Sequence, residues 1–212
     1  MRHFAVFFFL VVSCLAKTKE NRENNKIEIG MEDKQLSDTA TFGAGCFWCT
    51  EAMFLALEGV KKVVSGYEGG QVDNPNYHQV CTGTTGHAEV IQVVYDPAKI
   101  TYEELLAAFW QSHNPTQLNH QGNDVGTQYR SVIFYHNEKQ KVLAEKYKSE
   151  LNKSRVWPRP IVTEISPAST FYPAEDYHQN YYNLNTDQPY CSYVIRPKLE
   201  KFRKVFKEKL RK

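Results

Sequence analysis

The 212-residue sequence has little that fixes its class by a single feature. It shows no internal repeat, so it is not a repeat array. Its longest apolar run, FAVFFFLVV at 4–12, is too short to span a membrane as a mature helix. Charge is nearly balanced at +2, which excludes a strong whole-chain attraction to nucleic acid. Metal and haem signatures are missing as well. The stretch CFWC, Cys46 to Cys49, is followed by threonine where haem attachment needs histidine, and no second CxxC or HxxxH completes a zinc site.

What is present divides the chain. Met1-Arg2-His3 and the apolar run form a targeting segment, 1–16, that ends in Val11-Val12-Ser13-Cys14-Leu15-Ala16. VVSC resembles a bacterial lipobox, so the preferred reading is a lipoprotein leader with Cys14 as the lipidated mature N-terminus; an ordinary signal peptide cut after Ala16 is the alternative. Either implies export, to the periplasm or cell surface. Residues 17–38 are polar, rich in Lys, Glu and Asn, and read as a flexible tether. The body, 39–212, is long enough to fold without staples. Its end is basic: residues 196–212 carry +7 against +2 for the whole chain, leaving −5 on the rest.

Periodicity orders the body. Strands are expected at Thr39–Gly43, Val60–Tyr67, His87–Tyr95, Gln128–Tyr135 and Ile161–Ile165. Helices are expected at Cys46–Glu58, after Thr101 behind a Thr101/Glu104 capping box, at Asn137 to about Asn152, and at Lys198–Leu210 with an apolar stripe of Leu199, Phe202, Phe206 and Leu210. The segment GGQVDNPNYHQVCTGTTG between the second and third strands reads as loop. Strands and helices mix without strict βαβ alternation, which gives an α+β class: a two-layer sandwich with a mixed sheet and helices packed on it.

Two places carry chemistry. In GAGCFWCTEAMF, Cys46 stands at a helix start, where the positive field of free amides lowers a thiol's pKa, and Gly43 and Gly45 allow close backbone approach. Phe47 and Trp48 then form an apolar wall beside the sulfur. In GHAEVIQVVYDP, strand alternation puts Glu89 on one face with Ile91, Val93 and Tyr95. A carboxyl on such a face resists ionisation and suits a general acid. For each residue the plain alternative is a core cysteine or a solvated strand-end glutamate.

With these residues in hand, the chain resembles the A-type peptide methionine-(S)-S-oxide reductases. The resemblance runs from about Thr41 to Gln179, through GCFWCTEAMF, GYEGG, NPNYHQVCTGTTGHAEV, VYDP, QGNDVGTQYRS and AEDYHQNY. It implies reduction of the S epimer of methionine sulfoxide, free or in proteins, with no metal or organic cofactor and with thioredoxin or an exported relative as reductant. It implies Cys46 as nucleophile, Glu89 as acid helped by Tyr77 and Tyr129, Phe47 and Trp48 around the S-methyl group, Asp124 in the pocket wall and His178 near it. Many members resolve the sulfenic acid with a cysteine in a glycine-rich tail. Here Cys191 stands at that distance without the glycines, and Cys49 competes from i+3; Cys191 is the expected partner, Cys49 the alternative, and Cys81 lies in the loop ahead of Glu89. Two other classes remain open: a thioredoxin-like disulfide oxidoreductase, in which GHAE has no role, and a non-enzymatic lipoprotein with cysteines as staples and a basic helix on a partner or anionic lipid.

Overall fold

The computed structural model describes residues 37–212, so the leader, Cys14 and nearly all of the tether lie outside the described residues. In chain order the main elements are β1 (Asp38–Ala44), α1 (Phe47–Leu55), β2 (Val60–Glu68), α2 (Tyr77–Cys81), β3 (Ala88–Tyr95) and α3 (Tyr102–Ser112). There follow β4 (His120–Gln121), β5 (Asp124–Val125), β6 (Ser131–Tyr135), α4 (Glu138–Ser154), β7 (Glu164–Pro167), β8 (Tyr172–Pro173), α5 (Tyr181–Leu184) and α6 (Arg196–Val205).

Six strands form one sheet in the order β7-β6-β1-β3-β2-β8, antiparallel except for the β6–β7 pair, and β4–β5 make a separate small hairpin. The alternation read in β3 is the alternation seen. Ile91, Val93 and Tyr95 join the large core, with side chains of α1, α3, α4 and α6; Ala88 and Val90 join a small core on the opposite face with Val132 and Phe134. The fold is thus the two-layer α+β sandwich with a mixed sheet.

Local chemistry explains the helix starts. Thr101 accepts from Glu104 N–H at 3.2 Å while the Glu104 carboxylate accepts from Thr101 N–H at 2.8 Å, the capping box expected for α3. Asn137 caps α4 by accepting from Gln140 N–H at 2.9 Å. A third cap falls inside the supposed loop: Asn76 and Gln79 exchange hydrogen bonds of 3.0 and 2.9 Å and start α2, the short helix that begins at Tyr77.

Several boundaries differ from the sequence reading. Helix α1 ends at Leu55 rather than Glu58, because Leu57 instead bridges to Leu210 and Gly59 turns the chain at φ +87°, where an added Cβ would meet Ile100 at 2.8 Å. The strand placed from Gln128 starts at Ser131, after a single 3-10 turn over Thr127–Tyr129. The strand placed at Ile161 begins at Glu164, since Ile161 and Val162 spend their amides on Asn152 Oδ1 and Pro115 O. The last helix starts earlier, from a π-helical turn at Cys191–Ile195, and ends at Val205; Leu199 and Phe202 are buried and Phe206 is half-buried, as the stripe required.

Candidate active site

The site gathers at the N-terminal end of α1. Cys46 is the N-cap of that helix, with an extended ψ of 122°, and its carbonyl accepts from Cys49 and Thr50 N–H at 3.2 and 3.4 Å. The two glycines before it are needed for contact: a Cβ on Gly43 would meet Val132 at 2.7 Å, and Gly45 takes φ +88° with Gln121 pressed against it. Cys46 is 8% exposed, and what is exposed faces a cavity of ≈ 250 Å³.

The sheet supplies the acid. Glu89 on β3 is 2% exposed, and its Oε2 accepts from Phe47 N–H, the first amide of α1, at 3.1 Å. Burial, then the nearby Cys46, pushes its pKa well above the usual carboxylate value, and the single amide only partly offsets this. The carboxyl therefore keeps its proton to higher pH than an exposed glutamate does. Tyr77, presented by α2, and Tyr129, presented by the 3-10 turn, line the same cavity. Burial raises both phenols, so both hydroxyls remain proton donors.

The aromatic wall is built more firmly than sequence alone implies. Phe47 and Trp48 line the cavity, and the Trp48 indole lies flat on Tyr181, with ring centroids 3.7 Å apart and 8° between the planes. Its Nε1–H donates to His178 Nδ1 at 3.1 Å, which places the imidazole proton on Nε2. His178 is buried behind the wall, against Phe47 and Tyr77, and burial keeps it neutral by lowering its pKa. Asp124, from β5, closes another side and accepts from Tyr190 OH at 2.8 Å.

Tyr190 was missed in the sequence. It lines the cavity between Asp124 and the edge of Trp48, and its only local signal is its position immediately before Cys191. Tyr181 was missed too, although it sits three residues past His178 in the motif AEDYHQNY.

All four cysteines of the described body are free thiols, so Cys46, Cys49, Cys81 and Cys191 are not staples. Cys46 and Cys49 are hydrogen-bonded and titrate as a unit. The Cys46 hydrogen bond, against opposing burial, holds Cys49 below the usual thiol range, with Lys198 adding positive charge. The same hydrogen bond, then burial, pushes Cys46 well up. The helix terminus still acts on Cys46 through the Cys49 backbone N–H, which lowers it, but the Cys49 thiol and burial act the other way and outweigh it. Cys191 is 0% exposed within the core and raised by burial, not carried on a loose tail. Cys81 is exposed beside Tyr77.

Comparison with known proteins gives the family. The family described as PMSR, peptide methionine sulfoxide reductase, matches residues 38–210. The chain belongs to the peptide methionine sulfoxide reductase family. It is 56% identical over 169 residues to the peptide methionine sulfoxide reductase MsrA of Nautilia profundicola, covering 80% of this chain and 96% of that one. Reduced Mxr1 from Saccharomyces cerevisiae superposes with a TM-score of 0.70 at 37% identity, over 75% of this chain and 91% of that one. The same yeast protein in complex with Trx2 matches at a TM-score of 0.50 and 29% identity, over 70% of this chain and 87% of that one. As a member of this family the chain is an oxidoreductase, a peptide-methionine (S)-S-oxide reductase.

Proposed function

We propose that Cys46 is the nucleophile and Glu89 the acid of the sulfoxide reductase reaction, with Tyr77 and Tyr129 as hydroxyl donors to the sulfoxide oxygen and Phe47 and Trp48 around the S-methyl group. The observation that carries this assignment is the buried Glu89 carboxyl, its pKa raised by that burial, facing the same small cavity as the Cys46 thiol. The Cys46/Cys49 pair gives up one proton, and the remaining shared proton passes to Cys49 as the Cys46 sulfur bonds to the sulfoxide sulfur. Glu89 gives its proton to the oxygen, and transfer of that hydroxyl to Cys46 yields methionine and a Cys46 sulfenic acid. The neutral donors act where charge develops on the departing oxygen.

Resolution falls to Cys49 in this reading. Its thiol is hydrogen-bonded to Cys46, whereas Cys191 is enclosed in the π-helical turn behind Tyr190. Bridging i and i+3 is eased because Cys46 is a cap with extended backbone and not part of the helix. The Cys49 sulfur displaces water from the sulfenic acid, giving a Cys46–Cys49 disulfide that a thioredoxin dithiol reduces by exchange. The complex of yeast Mxr1 with Trx2 supports a thioredoxin as the partner.

Export rests on the leader: the VVSC sequence supports a lipidated Cys14 and a site outside the cytosol, and intact-mass analysis of mature protein, showing a diacylated chain from Cys14 or a bare one from Lys17, decides the anchor. The activity is tested with racemic methionine sulfoxide and dithiothreitol. Loss of the S epimer alone is expected; consumption of both epimers, or of neither, refutes the assignment.

A further inference from the structure

Glu51 stands on α1 five residues beyond Cys46 and does not line the cavity, yet it is 1% exposed. Its Oε1 accepts from Asn180 N–H at 2.9 Å, and the Tyr181 N–H bonds to the same carboxyl group. Its Oε2 lies beside the buried Ser65 hydroxyl, which also favours the charged carboxylate, although neither atom completes a full hydrogen bond. Asn180 explains the carboxylate. It adopts φ +52°, in the left-handed region that a non-glycine residue enters at a penalty.

That turn separates His178 from Tyr181, the two residues that hold Trp48. His178 takes the indole N–H, and Tyr181 covers the indole face. Trp48 lies one helical turn before Glu51 on the same helix, so the contacts form a closed ring: helix, indole, His178 and Tyr181, the two amides, carboxylate, and helix again. We propose that Glu51 is a positioning residue that fixes the Trp48 wall by anchoring the backbone turn at Asn180–Tyr181 to the helix that begins at Cys46. Its consequence for catalysis rests on the cavity being the sulfoxide site; its consequence for Trp48 does not.

The test reads both. In protein labelled with 15N-tryptophan, the Trp48 Nε1–H resonance, assigned by its loss in Trp48→Phe, reports the bond to His178 without substrate. In Glu51→Ala this resonance should move toward the position of a solvent-bonded indole, and KM for methionine S-sulfoxide should rise about 10-fold, the scale of one lost aromatic contact, with a smaller change in kcat. Glu51→Gln retains an oxygen for the amides and should stay within about 3-fold of wild type. Adding Asn180→Gly to Glu51→Ala should restore much of the loss, because glycine takes the left-handed conformation freely. An unmoved Trp48 resonance in Glu51→Ala overturns the proposal, as does Glu51→Gln being as impaired as Glu51→Ala. If Glu51→Ala does not fold, Tyr181→Leu tests the same link: both readouts shift as described, or the ring does not hold Trp48 and the proposal fails. A wild-type protein inactive on methionine sulfoxide would sink the functional reading while leaving the resonance test standing.

Discussion

Glu89 and Glu68 sit on neighbouring strands, one register step apart: Tyr67 pairs with Glu89 and Glu68 pairs with Ala88. Both are buried and both carry raised pKa values, Glu68 up to about 7, chiefly by desolvation. They point to opposite faces of the sheet. Glu89 meets the Phe47 amide, the Cys46 thiol and a cavity; Glu68, 0% exposed, meets Ser169 N–H at 2.7 Å beside the small core of Ala88, Val90, Val132 and Phe134. Burial alone makes a weak acid. Only an acid that shares a cavity with a nucleophile has a reaction to serve.

The largest effect that tests this contrast is on the chemical step. Glu89→Gln keeps the shape of the side chain but cannot deliver a proton, so sulfenic acid formation in a single turnover should slow by ~10²- to 10⁴-fold. Glu68→Gln should leave that step within about 3-fold of wild type, because Glu68 touches no reacting group. A Glu89→Gln rate as fast as that of Glu68→Gln would remove the distinction.

The same comparison applies to thiols. Cys49 shares the first turn with Cys46, and Cys191 lies in the core. Steady-state turnover with thioredoxin should fall at least about tenfold in Cys49→Ser, which stops after one equivalent of methionine, and little in Cys191→Ser. Peptide mapping after one equivalent of sulfoxide should find the Cys46–Cys49 disulfide in Cys191→Ser. Normal turnover in Cys49→Ser with a stalled Cys191→Ser would reverse the assignment and require the π-helical turn to open.

How much of this was legible depended on the range of the forces involved. The CFWC spacing, the Thr101/Glu104 box and the β3 alternation are local patterns, and they placed Cys46, α3 and the inward face of Glu89 correctly. The α2 helix was hidden because its Asn76/Gln79 cap lies among loop-forming residues, and the end of α1 was hidden because Leu210, far along the chain, takes up Leu57. Tyr190 and Tyr181 gain their roles from rings that belong to α1, and no periodicity reports such a partner. The coupling of Cys46 to Cys49 escapes a helix-terminus argument for a similar reason, since that argument considers the amides but not a second thiol beside them.

A smaller effect is the pH limb of the chemical step. Because Glu89 must be protonated to act, and burial raises its pKa, the single-turnover rate should fall only as pH rises through that elevated value, well above the range of an ordinary carboxyl. In Glu89→Gln the slow residual rate should lack this alkaline limb, while Glu68→Gln should keep it. A limb that survives in Glu89→Gln would assign it to another group, the Cys46/Cys49 pair first.

Glu68 should show its raised pKa in stability instead of rate. Between pH 4.5 and about 7 the unfolded chain has already lost this proton while the folded chain retains it. The native state then binds more protons, so stability falls as pH rises across that window and levels off above it. A shift from 4.5 to about 7 sets an upper bound of roughly 3 kcal/mol on the fall, and solvent relaxation reduces it. Glu68→Gln carries no proton to lose, so urea titrations should find its stability relative to wild type increasing from pH 4.5 to 7 by about 1 to 3 kcal/mol, with single-turnover rates unchanged. If the two proteins keep a constant difference across that window, Glu68 is ionised at its ordinary value, and the contrast between the two carboxyls lies in their environments as well as in their neighbours.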